Sequence, residues 1–102
     1  MKKDINRMSR IFKALSDENR LKILLYINDK KCKCDDLDCD SHTCLKDLSE
    51  NMDISLPTIS HHIKELINAG LIYTKKKGRW VYCMIEDATF KETSEFIKDF
   101  KK

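Results

Sequence analysis

Apolar residues recur with a helical period through most of this chain and run in a β-like pattern only between residues 71 and 85. Ile5, Met8, Ile11, Phe12 and Leu15 fall three or four apart and predict a first helix that ends near Ser16. Asp17 is placed to cap a second helix, whose Leu21, Ile23, Leu24, Leu25 and Ile27 make a face wide enough to be largely buried. Through residues 29–43 the period is lost. That segment is rich in Lys, Asp and Cys, holds no large apolar residue but Leu37, and reads as a loop. A short third helix is expected over residues 44–51, with Leu45, Leu48 and Met52 inward.

Ser55 stands before Leu56 and Pro57, the arrangement of an N-cap followed by a proline in the first helical turn. A fourth helix follows, with Ile59, Ile63, Leu66 and Ile67 as its buried stripe and Gly70 as a left-handed stop. Its other face carries Thr58, Ser60, His61, His62 and Lys64. Residues 71–74 and 80–85 are β-prone and flank a turn containing lysines and a glycine, which predicts a hairpin. Asp87 opens a last helix with Phe90, Phe96, Ile97 and Phe100 on its apolar side, and no partner within so short a chain covers all of it. The fold class is mainly α with a small β-hairpin wing. The third and fourth helices, joined by a tight turn at residues 53–55, make a helix-turn-helix, and the hairpin makes it a winged one.

A length of 102 residues permits one compact domain and leaves little room for a separate catalytic one. We divide residues 1–102 into an insert at 30–43, the helix-turn-helix at 44–70, the wing at 71–85 and a terminal helix at 87–100. No apolar run approaches the roughly 20 residues of a membrane span, so no membrane partner is expected. The amino terminus has lysines but neither a continuous apolar core nor a small-residue cleavage site, so a cytoplasmic protein is expected. In that reducing compartment the five cysteines point to metal binding, redox sensing or burial rather than to disulfides.

Net charge is only +3, and its distribution says more than its sum. Lys75, Lys76, Lys77 and Arg79 crowd the expected wing turn, whereas Asp35, Asp36, Asp38 and Asp40 crowd the cysteine segment. Either run taken alone is explained equally well by a solvated loop. Beside a helix-turn-helix the basic run acquires a use. Short polar side chains at the head of the fourth helix suit the major groove of double-stranded DNA, and its amides suit a phosphate. Ser55, Thr58, Ser60, His61, His62 and Lys64 are the candidate DNA-contacting residues of the helix, and Lys76, Lys77 and Arg79 those of the wing. Wing contacts to phosphate position the protein and make affinity salt-dependent without specifying sequence.

The stretches Phe12-Lys-Ala-Leu-Ser-Asp-Glu-Asn-Arg-Leu-Lys-Ile-Leu24, Ser55-Leu-Pro-Thr-Ile-Ser-His-His-Ile63, Ala69-Gly-Leu-Ile72 and Gly78-Arg-Trp-Val-Tyr82, with Leu66, span nearly the whole chain. In them the protein resembles the ArsR/SmtB metal- and metalloid-responsive repressors. The resemblance implies a homodimer built on the first and last helices, which binds an inverted-repeat operator and releases it when an inducer binds. It also implies that Ser60, His61 and their neighbours contact bases.

The inducer positions depart from that family's patterns. Arsenic-type members carry Cys-Val-Cys-Asp-Leu-Cys at the head of the third helix, where this chain reads Cys44-Leu45-Lys46-Asp47-Leu48-Ser49. Zinc-type members use histidines and carboxylates on the last helix, where this chain has Asp87, Glu92 and Glu95 but no histidine. Cys32, Cys34 and Cys39 lie instead in the insert just before Cys44. Those four thiols suit one tetrahedral zinc or cadmium ion, any three of them suit lead, mercury or arsenite, and His42 is a substitute ligand. The expected function is a repressor released by a thiophilic ion, the identity of which the spacing leaves open, as it leaves open ligation within or between subunits. The same cluster is compatible with a thiol/disulfide redox-sensing repressor and with a repressor carrying a structural zinc. Cys83, on a strand, reads as a core thiol. His61 and His62 are adjacent and point in different directions around their helix, so a joint metal site there is not expected. No glycine-rich phosphate loop or nucleophile set beside a histidine is present, so neither an enzyme nor a small organic substrate is expected.

Overall fold

A computed structural model describes residues 4–29 and 43–101. The elements run α1 (Ile5–Leu15), α2 (Glu18–Asp29), β1 (Thr43–Cys44), α3 (Leu45–Met52), α4 (Leu56–Asn68), β2 (Ile72–Lys77), β3 (Trp80–Ile85) and α5 (Asp87–Lys98), closed by a 3-10 turn at Asp99–Lys101. The architecture is the expected winged helix-turn-helix. Insert residues Cys32, Cys34, Cys39 and His42 lie outside the described residues.

Helix ends follow from local side chains. Asp4 accepts a hydrogen bond from the Arg7 amide and caps α1. Asp17 does the same for α2, accepting from the Arg20 amide at 3.0 Å. Gly70, at φ +77°, ends α4 in the left-handed region. Asp53 takes a left-handed conformation at the end of α3 (φ 53°, ψ 42°), which a short polar side chain tolerates better than most. The Ser49 hydroxyl bridges the resulting turn by donating to the Ile54 carbonyl at 2.8 Å.

One core joins these elements. Ile11 of α1, Ile23 of α2, Leu48 of α3, Ile59 and Leu66 of α4, and Leu71 are fully buried together, each side chain contributing about 1.5–3 kcal/mol by leaving water. The buried face of α2 is narrower than its pattern predicts. Ile23, Leu24 and Ile27 are inside, whereas Leu21 and Leu25 are exposed, Leu25 by 64%. Ile67 likewise falls outside the buried stripe of α4.

The sheet differs from a simple hairpin in two ways. Strand β2 continues past Thr74 through the lysines, with Lys75 opposite Tyr82, Lys76 opposite Val81 and Lys77 opposite Trp80, so the three lysines of the basic run lie in the strand and only Arg79 lies in the turn. Only Gly78 and Arg79 form the connection, with Gly78 at φ +59°. The strand order is β1-β3-β2, which leaves β2 on an edge where lysine side chains deter pairing with a second sheet. The third strand, β1, is absent from the sequence expectation: Thr43 pairs with Cys83 and Cys44 with Tyr82, antiparallel.

Helices α1 and α5 lie against each other. The Arg7 guanidinium clamps Glu92, with Nη2 2.9 Å and Nε 3.1 Å from Oε1. Phe12 meets Phe96 at 6.0 Å between ring centroids, and Phe96 meets Phe100 edge-on at 5.4 Å. Much of this apolar surface stays open, with Ile97 exposed by 49% and Phe100 by 78%. Among the described residues no helix is long and apolar enough to cross a membrane.

Candidate nucleic-acid interface and thiol site

Ser55 is the N-cap residue of α4, and its carbonyl accepts from the Ile59 amide at 3.0 Å. Its hydroxyl does not cap the helix but donates to Thr58 Oγ1 at 3.0 Å. The first-turn amides of α4 are thus left without a side-chain cap, and a phosphate can be met by them. Thr58, Ser60, His61 and Lys64 are exposed together on the face away from the core.

His62 departs from the DNA-facing set. It is only 9% exposed and turns inward, so its imidazole is not presented with those of the reading face. Its Nδ1 is buried without a hydrogen bond among the described residues and lies 4.0 Å from Asp17 Oδ2, an ionic contact when the imidazole is protonated. Adjacent helical residues are about 100° apart around the axis, so His61 can face solvent while His62 faces the core. The Asp17 carboxyl is held below the usual carboxylate range, first by the hydrogen bond from the Arg20 amide and, less, by the facing His62.

On the wing, Lys75, Lys76, Lys77 and Arg79 are all exposed. Trp80, beside them, is flanked by two cations: Arg79 Cζ lies 5.3 Å from the indole centroid, and Lys46 Nζ, from the first turn of α3, lies 5.5 Å from it. Both distances are within cation–π reach. The Lys46 contact has no signal in the local pattern, because it joins residues far apart in the chain.

Of the predicted thiol ligands, the described residues include Cys44 alone. It is the N-cap residue of α3, makes no side-chain capping bond and is buried. Cys83 is buried near it in the same small sheet, both as free thiols. Burial, and secondarily the neighbouring Cys44, push the Cys83 thiol up to about 12, which keeps it protonated at neutral pH as expected of a core thiol. Among the described residues no three His, Cys, Asp or Glu side chains stand together as a ready metal cage. On α5, Glu92 is engaged by Arg7. The donor chemistry of Cys44 fits a soft ion, and its place at the junction of the sheet and the helix-turn-helix gives any ligand there leverage.

Comparison with known proteins agrees with this geometry. Residues 39–74 match the family model described as bacterial regulatory protein, arsR family. The chain is 34% identical over 101 residues to the cadmium resistance transcriptional regulatory protein CadC of Listeria innocua, covering 97% of this chain and 75% of that one. It is 41% identical over 71 residues to the arsenical resistance operon repressor of Staphylococcus xylosus, covering 70% of this chain and 58% of the relative. A solved ArsR family transcriptional regulator superposes with a TM-score of 0.80 at 25% identity, covering 99% of this chain and 93% of its own. The chain belongs to the ArsR family of bacterial transcriptional regulators, and is a DNA-binding regulator rather than an enzyme.

Proposed function

We propose that this protein is a repressor that binds a duplex operator as a homodimer and releases it when a thiophilic ion binds at Cys44 together with Cys32, Cys34 and Cys39, with His42 as a substitute ligand. The observation that carries the DNA half is the exposure of Thr58, Ser60, His61 and Lys64 at the uncapped head of α4, beside a wing that presents Lys76, Lys77 and Arg79. The recognition helix supplies base contacts and the wing supplies phosphate contacts. The open apolar face of α1 and α5, with Ile5, Phe12, Ile97 and Phe100 exposed, supports the dimer that an inverted repeat demands.

Support for the ion half comes from the thiol chemistry of the cluster and from relatives named for cadmium and arsenical resistance. Turning a repressor from 99:1 bound to 1:99 takes roughly 5.5 kcal/mol of differential affinity, within the range of thiolate coordination. Zinc, cadmium, lead and arsenite are the candidates. The cytoplasm, where thiols stay reduced, is the compartment in which such a site operates.

The test is fluorescence anisotropy of the reduced protein on duplex DNA from its own promoter, titrated separately with those four ions and repeated with Cys44→Ser. Release by one ion, lost in the variant, is expected. DNA binding that survives every ion but is reversibly lost on oxidation would instead identify a thiol/disulfide redox repressor. Survival of binding under both treatments, with one tightly held zinc, would make the cluster structural.

A further inference from the structure

Cys44 is not only the head of α3. Its backbone is also part of the sheet that carries the wing: Cys44 pairs with Tyr82 and Thr43 with Cys83, both on β3, the strand that leaves the wing turn. Two residues beyond Cys44, the Lys46 ammonium sits 5.5 Å from the centre of the indole of Trp80, the residue that opens that same strand just after the wing turn. Lys46 itself is exposed, so its ammonium forms this contact without being forced there by packing. One short stretch of chain is therefore tied to the wing twice, by a ladder pairing and by a cation–π contact, and continues directly into the first helix of the helix-turn-helix.

We infer that the wing is an output of the Cys44 site, with Lys46 and Trp80 as the positioning residues that transmit it; this rests on the reading of Cys44 as an inducer ligand. An ion that draws the Cys44 thiol out of its buried position must shift the backbone between β1 and α3. That backbone cannot move without disturbing the Cys44–Tyr82 pairing or the approach of Lys46 to Trp80. Either change re-aims β3 and, across the two-residue turn, the Lys75, Lys76 and Lys77 side chains of β2. Phosphate contacts from a wing are lost by a small rotation of the hairpin, since the lysines lie at its far end. Release then proceeds by loss of backbone contacts as well as by displacement of the reading head, and the wing component is salt-sensitive.

Trp80 is the only tryptophan, so its emission reports this contact directly. The reduced full-length protein is titrated with cadmium chloride while three signals are followed: the ultraviolet thiolate-to-cadmium absorption, Trp80 emission, and anisotropy on duplex promoter DNA. In the parent protein all three are expected to change at the same stoichiometry. In Lys46→Met, which keeps the aliphatic stem and removes the charge, the absorption band is expected unchanged. Its Trp80 response should shrink, and cadmium should weaken DNA binding less than in the parent by roughly two- to five-fold, the size of a partly exposed cation–π contact. Lys46→Arg restores the parent behaviour. A normal absorption band with an unmoved Trp80 signal, or with full release in Lys46→Met, overturns the inference and leaves the ligand reading intact. Absence of the band in the parent overturns the ligand reading, and the wing coupling with it.

Discussion

The imidazole of His62 on α4 stands 4.0 Å from the carboxylate of Asp17 at the head of α2, and the same carboxylate oxygen accepts the Arg20 amide at 3.0 Å. One side chain thus caps a core helix and faces the buried side of the recognition helix. Removing it in Asp17→Ala leaves the cap empty and His62 without its facing charge. A fall of a few degrees in the thermal midpoint at neutral pH is expected. Because the folded state holds this carboxyl below its ordinary range, its contribution is fully present above that range and is lost as pH falls through the folded value. The gap between parent and variant should therefore narrow in acid. Thermal melts from neutral pH down to about pH 3, below the ordinary aspartate value, measure it; a gap that widens on acidification contradicts the assignment.

The neighbouring histidines separate stability from recognition. His61 is exposed on the reading face, so His61→Ala should weaken operator binding by an amount typical of a base contact, about 1–3 kcal/mol, with little change in thermal midpoint. His62→Ala, at a buried position, should lower the thermal midpoint instead. Anisotropy and thermal denaturation on both variants decide the matter, and a reversal of the two effects would remove His61 from the interface.

Wing lysines make a different prediction. Lys76→Ala should weaken binding to all duplex sequences alike and reduce the slope of log affinity against log salt by about one, the signature of one lost phosphate contact. A variant with an unchanged slope means that Lys76 does not meet the backbone.

Helices and hairpin were legible because their apolar periods are local, and the Ser55-Leu56-Pro57 start and Gly70 stop of α4 are local as well. Three features were not. A two-residue strand such as β1 has no period, and its partners on β3 are distant in the chain. The reach of β2 through Lys75, Lys76 and Lys77 runs against lysine's poor strand propensity and makes sense only at a sheet edge, which topology decides. The inward turn of His62 depends on which side of α4 meets Asp17, a fact of packing between α2 and α4. Leu21 and Leu25 fail in the opposite direction: their spacing fits the buried face of α2, but both side chains stand exposed.

Gly70 tests the stop between α4 and the wing. A Cβ added there would meet Thr89 Oγ1 at 3.6 Å, an ordinary contact, so the penalty of Gly70→Ala comes from the backbone, held at φ +77°. About 1–2 kcal/mol of destabilisation is expected, read as a lower urea midpoint with an unchanged slope. A neutral outcome would mean that the chain leaves α4 by another conformation.

The Cys83 thiol is pushed up to about 12 by burial. A thiol held protonated in the folded state, and released to an ordinary value near 8.5 on unfolding, stabilises the fold below that ordinary value. As pH rises, the unfolded chain gives up this proton first, and stability falls by up to about 1.4 kcal/mol per pH unit until the folded value is reached. Cys83→Ala lacks this slope, so its stability deficit relative to the parent should shrink as pH is raised from 8 toward 11, beyond what the lysines shared by both proteins contribute. The same burial predicts that Cys83 alkylates slowly in the native protein and rapidly once it is unfolded in urea, which mass mapping after timed iodoacetamide treatment distinguishes. Rapid native labelling at Cys83 would place its thiol at the surface and remove the physical basis for treating it as a core residue rather than a ligand.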